Sequence, residues 1–407
     1  MSSSPRSTLH DGSTAAAVLP ALFGYGFRPF FLLAGGVAAV YGPWWAGSVA
    51  FGWQLTTGWP PMLWHGHEML FGFIAAALAG FLLTAVPSWT GRRGYAGWPL
   101  IALVALWCAG RIAILTSAAW PPLATAVVDL AFLPVLGVFV AIPLLRTRNR
   151  NQVPLPVLAA LWACNATFHW ALTQHDAPLA GHSVRVGIDV MLVLLTVVGG
   201  RIVPAFTNSA MAPLGVTTAV PRSWPLVSPT LLLMMVANVL AGIFTVGATT
   251  AAAIALGAAV LHAVRLGQWR APLLLMTPIV WILHLGYAWL AVGLGLKAIA
   301  LLFGTASAAF WLHALTIGAI TSMIVAVMTR ASLGHTGRSL TVAPPIAACY
   351  LLLSVAAAVR AFGVGVTDVP YPLVLALTGL CWLCAFALYL YVYAPILCLP
   401  RADGRPG

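Results

Sequence analysis

The residues best suited to chemistry in this sequence are histidines that lie in apolar stretches. The chain has ten histidines, and five of them share apolar surroundings and a similar predicted depth: His65, His67, His169, His284 and His313. Imidazole is a common axial ligand of haem iron and a good ligand of copper. A single buried histidine is more often a hydrogen-bonded core residue. It is therefore the five histidines together that indicate a haem or metal site.

Depth can be counted from the basic residue at the inner end of each segment, because an α-helix rises about 1.5 Å per residue. The resulting heights are about 21, 26, 28 and 37 Å for His284, His313, His169 and His67. Four helices therefore present imidazole in the outer half of a membrane. Facing helices of a bundle are where haem and metal sites are built, so we predict that at least two of these histidines are ligands.

The richest cluster is the run Trp-His-Gly-His-Glu-Met at positions 64–69. It is not the H-E-x-x-H zinc motif, because Phe71 stands where the second histidine would be. Each helical residue turns about 100°, so His65 and His67 point about 200° apart and are expected to serve different partners. His65 is expected to share a face with Glu68 and the methionine after it. Glu68 is a candidate proton carrier or a group that orients an imidazole; a solvated helix cap is the alternative for the whole run.

Aromatic residues accompany His284. Trp281, His284 and Tyr287 follow one another at a spacing of three and so share a helix face. A pocket with aromatic walls suits a flat macrocycle, so Trp281 and Tyr287 are predicted to bind the cofactor together with His284. Ordinary helix packing or a belt at the membrane interface is the alternative for the two aromatic residues.

Charged residues inside the apolar segments need partners, because an unpaired charge in a membrane is very costly. Arg111 and Asp129 flank a short turn at heights of about 27 and 25 Å, so they are expected to form a buried ion pair. The pair is either structural or serves a haem propionate or a proton route. Asp189 lies one turn after Arg185 and is expected to pair with it.

Membrane helices must position these residues. The chain is 61% hydrophobic and 6% charged, whereas a soluble globular protein has about 25% charged residues. A membrane helix needs about 20 apolar residues. Twelve stretches qualify: residues 27–51, 64–87, 97–118, 121–145, 154–173, 184–205, 226–247, 249–265, 271–295, 302–329, 342–363 and 370–398. The predicted fold is an all-α, multi-pass bundle of about twelve transmembrane helices.

The formal net charge is +12, but the basic residues lie almost only in every second loop. This distribution argues against nucleic acid as a partner and places both termini in the cytoplasm of a cell whose lipid bilayer the chain spans. Residues 1–22 are predicted to be a disordered cytoplasmic tail, residues 23–399 the membrane domain, and residues 400–407 a cytoplasmic C-terminal tail. Cys381 and Cys384 form a C-x-x-C within the last segment and are assigned to packing.

Several stretches of the sequence resemble the NnrS family. They are GFRPFF at 26–31, WHGHEMLFGFIAAALAGFLLTAVPSWTGR at 64–92, GRIVPAFT at 200–207, WILHLGYAWL at 281–290 and HALTIGAITSMIVAVMTRASLGHTGR at 313–338. They include the histidines named above except His169. The resemblance implies a twelve-helix bacterial membrane protein that contains haem and copper and is associated with the response to nitric oxide and nitrosative stress.

The leading hypothesis is a haem- and copper-binding protein of the bacterial inner membrane that binds nitric oxide at an outward-facing metal site. The haem is expected to be b-type, because no C-x-x-C-H attachment motif is present. Whether the protein is an enzyme that reduces nitric oxide stays open, since turnover requires protons and electrons from a donor that the sequence does not identify. A transporter that uses the same histidines as transient ligands for a small solute or metal is the alternative, and a gas sensor is a third class.

Overall fold

The computed structural model describes residues 21–54, 57–212, 223–269, 277–304, 308–363 and 369–404. Within these ranges the secondary structure is helical and contains twelve long helices. They are α1 Phe27–Phe51, α2 Pro61–Thr90, α3 Trp98–Leu115, α4 Pro122–Arg146, α5 Pro154–Thr173, α6 Ala177–Met211, α7 Val227–Ile243, α8 Ala248–Gly267, α9 Pro278–Phe303, α10 Phe310–His335, α11 Pro344–Phe362 and α12 Tyr371–Cys398. Eleven are long and apolar enough to cross a membrane, and α7 is a shorter apolar helix of 17 residues. The prediction of an all-α multi-pass membrane protein is confirmed.

Proline and glycine mark many of the helix ends. Proline occupies the first or second position of α2, α3, α4, α5, α6, α9, α11 and α12. A first turn tolerates proline because its backbone N–H groups have no partner within the helix. Gly52, Gly91 and Gly304 follow α1, α2 and α9 with φ of 73°, 66° and 60°, a left-handed conformation that favours glycine and stops a helix.

The predicted bounds differ from the structure by six to eight residues at each end of α6, α9 and α10. α6 begins at Ala177 because the Asp176 side chain caps it, accepting a hydrogen bond from the Leu179 N–H at 2.9 Å. α9 begins at Pro278 rather than at residue 271, and residues 270–276 lie outside the described ranges. Depths along α9 therefore have to be counted from Pro278.

The first and last helices meet at one end of the bundle. Arg28 donates hydrogen bonds to the carbonyls of Leu397 at 3.0 Å and Leu399 at 2.7 Å. Arg401 donates to the carbonyl of His335 at 2.6 Å. We call this end the inner end and the opposite one the outer end, following the orientation predicted from the basic loops. Most of the predicted N-terminal tail, residues 1–20, and the last residues, 405–407, lie outside the described ranges.

α2 is the most enclosed helix of the bundle. Within its apolar window 83% of the residues are buried, against 67% for α6 and α10 and 33% for α3 and α8. At the start of α2, Pro61 and Met62 are exposed, but Trp64, His67 and Glu68 are fully buried, so the run at 64–69 is not a solvated rim. The buried polar side chains of the run at 64–69 therefore have to form hydrogen bonds or ion pairs with other residues of the protein.

Two of the enclosed helices contain a π-helical segment. In α2 the segment is Glu68–Ile74, directly after His67, and in α10 it is Ala314–Thr321, directly after His313. π-helical turns are rare and often occur at functional sites. The outer parts of α2 and α10 are therefore the first places to look for a site.

Gly293 and Gly295 of α9 provide a matched test of the close packing between α9 and α10. A Cβ at Gly293 would lie 2.6 Å from the Leu315 side chain and 3.1 Å from its backbone nitrogen, whereas a Cβ at Gly295 would meet none of the described atoms within 4 Å. Gly293→Val should lower the unfolding temperature in detergent, with an overpacking cost of about 1–3 kcal/mol. Gly295→Val carries the same change in helix propensity and should have little effect. Equal effects of the two variants would contradict this packing.

Candidate functional site

Buried polar side chains from four helices meet near the outer end of the bundle. They are His67 and Glu68 of α2, Arg111 of α3, Asp129 of α4, and Asn165 and His169 of α5. Each is at most 5% exposed. We call this group the buried network. Polar groups in an apolar interior cost several kcal/mol unless they bond to one another, so the network accounts for why these residues converge.

The Arg111 guanidinium lies between both carboxylates of the buried network. Its Nη1 donates to Glu68 Oε1 at 2.5 Å, and its Nη2 contacts Asp129 Oδ1. The expected partner Asp129 is therefore in contact with Arg111, and Glu68 is a second partner that the sequence did not indicate. Gly72 makes this approach possible, because a Cβ there would lie 3.2 Å from Arg111 Nη1.

His67 has acceptors at both ring nitrogens. Nδ1 lies 3.0 Å from Glu68 Oε1, while Nε2 lies 2.9 Å from Asn165 Oδ1 and 3.2 Å from Asp129 Oδ2. A neutral imidazole carries only one N–H. If Nδ1 donates to Glu68, then Nε2 is left either to carry a second proton or to bind a metal ion.

His169 completes a group with the donor atoms that a metal ion needs. Its Nε2 lies 3.0 Å from Asp129 Oδ2. The ligand atoms of His67, Asp129 and His169 all lie within 4.8 Å of one another. Two imidazoles and a carboxylate suit copper and other transition metals.

The buried network has one more negative than positive charge, so one further cation is needed to neutralise it. One arginine faces two carboxylates, which leaves a single negative charge if both imidazoles are neutral. A proton on His67 or a metal ion among the three ligands removes this charge. Asn165 was missed from the sequence, although a polar residue one helical turn before His169 in an apolar helix was an available signal.

The structure corrects the expected grouping of Glu68 with His65. Glu68 bonds instead to His67 and Arg111. Arg111 approaches α2 from that side, and neighbouring helical residues are only about 100° apart, so Glu68 can turn towards it. His65 and His67 do make separate contacts, as their spacing predicts.

His65 faces a cavity on the other side of the α2 start, which we call the outer cavity. His313 of α10, Arg185 of α6 and Arg360 of α11 line the same cavity. It contains about 1220 Å³ of space free of protein atoms, counting its opening. The remaining walls are mainly apolar and include Leu63, Leu70, Phe73, Ile74, Leu375 and Trp382.

The His65 imidazole is held in a defined orientation. Its ring stacks on Trp45 with centroids 4.0 Å apart and an interplanar angle of 17°. Its Nδ1 is buried and has no hydrogen-bond partner in the part of the chain that the structure describes. A buried polar atom without a partner is costly, so it indicates that a bound group completes the site.

His284 lies elsewhere, near the inner end of the bundle. It is the seventh residue of α9, which puts it only about 9 Å along the helix at about 1.5 Å per residue. Its Nε2 is 3.4 Å from Thr207 Oγ1, close to the inner end of α6. The expected depth of about 21 Å was counted from Arg270, which lies with residues 271–276 outside the described ranges, so the position of His284 is given along the helix that begins at Pro278.

The aromatic residues expected beside His284 also have other neighbours. The Tyr287 hydroxyl lies 2.8 Å from His262 Nδ1 and 3.3 Å from Arg265 Nη1. The Trp281 ring packs against Tyr350 with centroids 5.8 Å apart. The role of His284, Trp281 and Tyr287 in cofactor binding stays a prediction, but they do not line the outer cavity.

Asp189 pairs across helices and not with Arg185. Lys297 of α9 donates to its two carboxylate oxygens at 3.0 and 3.3 Å and to Asn238 Oδ1 at 2.9 Å. Lys297 is itself buried and needs a partner more than Arg185, which is exposed at the outer cavity. The expectation of a local pair was therefore wrong.

Replacement of Arg111 tests whether the charges of the buried network stabilise one another. Arg111→Ala leaves two buried carboxylates without their cation and should destabilise the protein by about 3–5 kcal/mol. The double variant Arg111→Ala with Asp129→Asn leaves Glu68 opposite His67, so it should be more stable than the single variant. Thermal unfolding in detergent measures both.

Arg93→Ala is the matched control, because Arg93 is exposed beyond the inner end of α2. It should change stability by less than about 0.5 kcal/mol. Losses that simply add in the double variant would argue against a shared network.

Comparison with known proteins gives the family. The model of the NnrS protein family matches residues 21–401, which include the buried network and the outer cavity. None of the curated proteins compared with the chain matches it. Because the match covers nearly the whole sequence, this chain belongs to the NnrS family.

Proposed function

We propose that this membrane protein acts in the response to nitric oxide by binding haem in the outer cavity and copper in the buried network. Membership of the NnrS family supports the role in the nitric oxide response. The bacterial inner membrane is the proposed location, with the lipid bilayer as the surroundings of the apolar helices. Nitric oxide is the proposed small ligand.

The observation that carries this proposal is the placement of two different histidine sites on either side of the α2 start. His65 lines the outer cavity together with His313, and His67 meets Asp129 and His169 in the buried network. The two sites share one helix turn. A haem iron next to a second metal is an arrangement in which a diatomic gas can be bound.

The outer cavity fits haem by the chemistry of its lining. His65 and His313 supply imidazoles from two facing helices, and the unpartnered Nδ1 of His65 is one nitrogen available for the iron. The apolar walls suit a porphyrin ring, and arginine suits its propionates. When bound, haem iron supplies one-electron chemistry and a position for a gas molecule.

The buried network fits copper by its donor set. His67 Nε2, His169 Nε2 and a carboxylate oxygen of Asp129 would hold the ion. Glu68 accepts the hydrogen bond of His67 Nδ1, which fixes the ring orientation and leaves Nε2 for the metal. A cation at this position would also remove the surplus negative charge that Glu68 and Asp129 leave beside Arg111.

Glu68 is the proposed proton carrier. Its Oε1 bonds to His67 and Arg111, whereas its Oε2 is buried with no hydrogen-bond partner among the described residues. Oε2 is therefore the atom at which Glu68 would take up or release a proton. This places a proton donor within one residue of the proposed copper ligand.

Replacement of the histidines one at a time tests the proposal. His65→Ala and His313→Ala should remove most of the haem, measured by the Soret band and a reduced-minus-oxidised spectrum. His67→Ala and His169→Ala should remove most of the copper, measured by metal analysis, and retain more haem than the first two variants.

His175→Asn is the matched control, because His175 is exposed and has a φ of 55°, a conformation that asparagine tolerates. It should keep both cofactors. Purified, folded protein with neither a Soret band nor copper, despite sufficient supply of both, would refute the proposal and favour a transporter.

A further inference from the structure

Arg360 is a buried guanidinium that faces the outer cavity with unused donors. It is 2% exposed and lines the cavity near the outer end of α11. Its Nη2 donates to the Tyr371 hydroxyl at 3.0 Å. Its Nε and Nη1 are buried and have no hydrogen-bond partner among the described residues.

The acidic residues described in ion pairs are bound to other cations. Glu68 and Asp129 contact Arg111, Asp189 contacts Lys297, and Asp403 contacts Arg401. Asp368, which follows Arg360 by eight residues in the sequence, lies outside the described ranges. Burial of a guanidinium in a membrane protein is costly without an anion, so an anion in the cavity would stabilise Arg360.

The other residues that line the cavity indicate which kind of molecule could carry this anionic group. Its walls are mainly apolar, with His65 and His313 as the imidazoles and Arg185 as a second guanidinium. Arg185 is more exposed than Arg360, so it is placed for an anionic group nearer the opening. A molecule that fits all of these features has an apolar body and carboxylates at one edge.

We propose that Arg360 binds a carboxylate of the molecule in the outer cavity, and that Arg185 binds a second one. This inference rests on the proposed function, because the molecule is then the haem and the carboxylates are its propionates. The two guanidiniums select the edge of the ring that points to the outer end. Arginine forms charge-assisted hydrogen bonds with carboxylates, and Nε and Nη1 of Arg360 each have an N–H available for one.

A comparison of haem with its dimethyl ester tests the carboxylate directly. Full-length protein, produced under haem limitation and purified in detergent, is titrated with each porphyrin and followed by Soret absorbance. The unchanged protein should bind haem at least about tenfold more tightly than the ester, because esterification removes the negative charges. This arm needs no mutation, so it does not depend on whether a variant folds.

Variants of Arg360 identify the residue responsible. In Arg360→Gln the preference for haem over the ester should fall towards equality, while Arg360→Lys should keep part of it because the charge remains. Arg201→Gln is the control, since Arg201 is exposed and bonds to Asn151 at 2.5 Å away from this cavity. The control should keep the full preference. The ester partitions more strongly into detergent, but this factor is the same for every variant, so it cancels when the haem-to-ester ratio is compared between variants.

The outcomes separate this inference from the proposed function. Equal binding of haem and its ester by the unchanged protein would overturn the carboxylate assignment and leave haem binding intact. In that case an anionic lipid headgroup would be the partner of Arg360, and anionic lipid retained after purification would fall in Arg360→Gln. Binding of neither porphyrin would overturn both the inference and the proposed function.

Discussion

The contact of one arginine with two carboxylates inside the bundle determines how the outer half of this protein is arranged. Arg111 needs Glu68 and Asp129, and each of those acids needs Arg111, because none of the three charges has access to water. The requirement ties α2, α3 and α4 together, and Asn165 and His169 add α5. By occupying both nitrogens of His67, the network also fixes the rotation of the α2 start. His65 is thereby turned to the other side, where it faces the outer cavity.

The two sites are chemically different in a way that suits two different cofactors. The buried network is small, charged and closely hydrogen-bonded, as a site for an ion must be. The outer cavity is wide and mainly apolar, with polar atoms of His65 and Arg360 that lack partners within the described residues. The two sites lie within one helix turn of each other, because His65 lines the outer cavity and His67 belongs to the buried network. A third polar group, formed by His262, Arg265 and Tyr287, lies apart from both sites and contributes to packing between α8 and α9.

The sequence was informative about what depends on local pattern and weaker on what depends on side-chain geometry. Apolar length sufficed to predict the twelve helices, and depth along α10 placed His313 in the outer half of the membrane together with the α2 start. The same count did not give the position of His284 along α9, since it started at Arg270, outside the described ranges, whereas α9 begins at Pro278. Arg111 and Asp129 could be matched by height. Glu68 could not be assigned to Arg111, because that contact depends on how the helices are arranged in space and on a close approach of Arg111 to Gly72. The pairing of Asp189 with Lys297 could not be predicted, because it depends on which helices are neighbours in space. The sequence of one segment does not indicate its neighbours.

The π-helical segments divide α2 and α10 into parts that can change independently. A π-helical turn holds more residues than an α-helical one, so each segment is equivalent to an insertion in the middle of a helix. Residues on its outer side are rotated relative to those on its inner side by about 100° for each extra residue. A single helical wheel drawn through Pro61–Thr90 or Phe310–His335 therefore mixes two different faces. The directions of His65, His67 and His313 are therefore set on the outer side of each π-helical segment, in a different rotational phase from the residues that pack the inner part of the bundle.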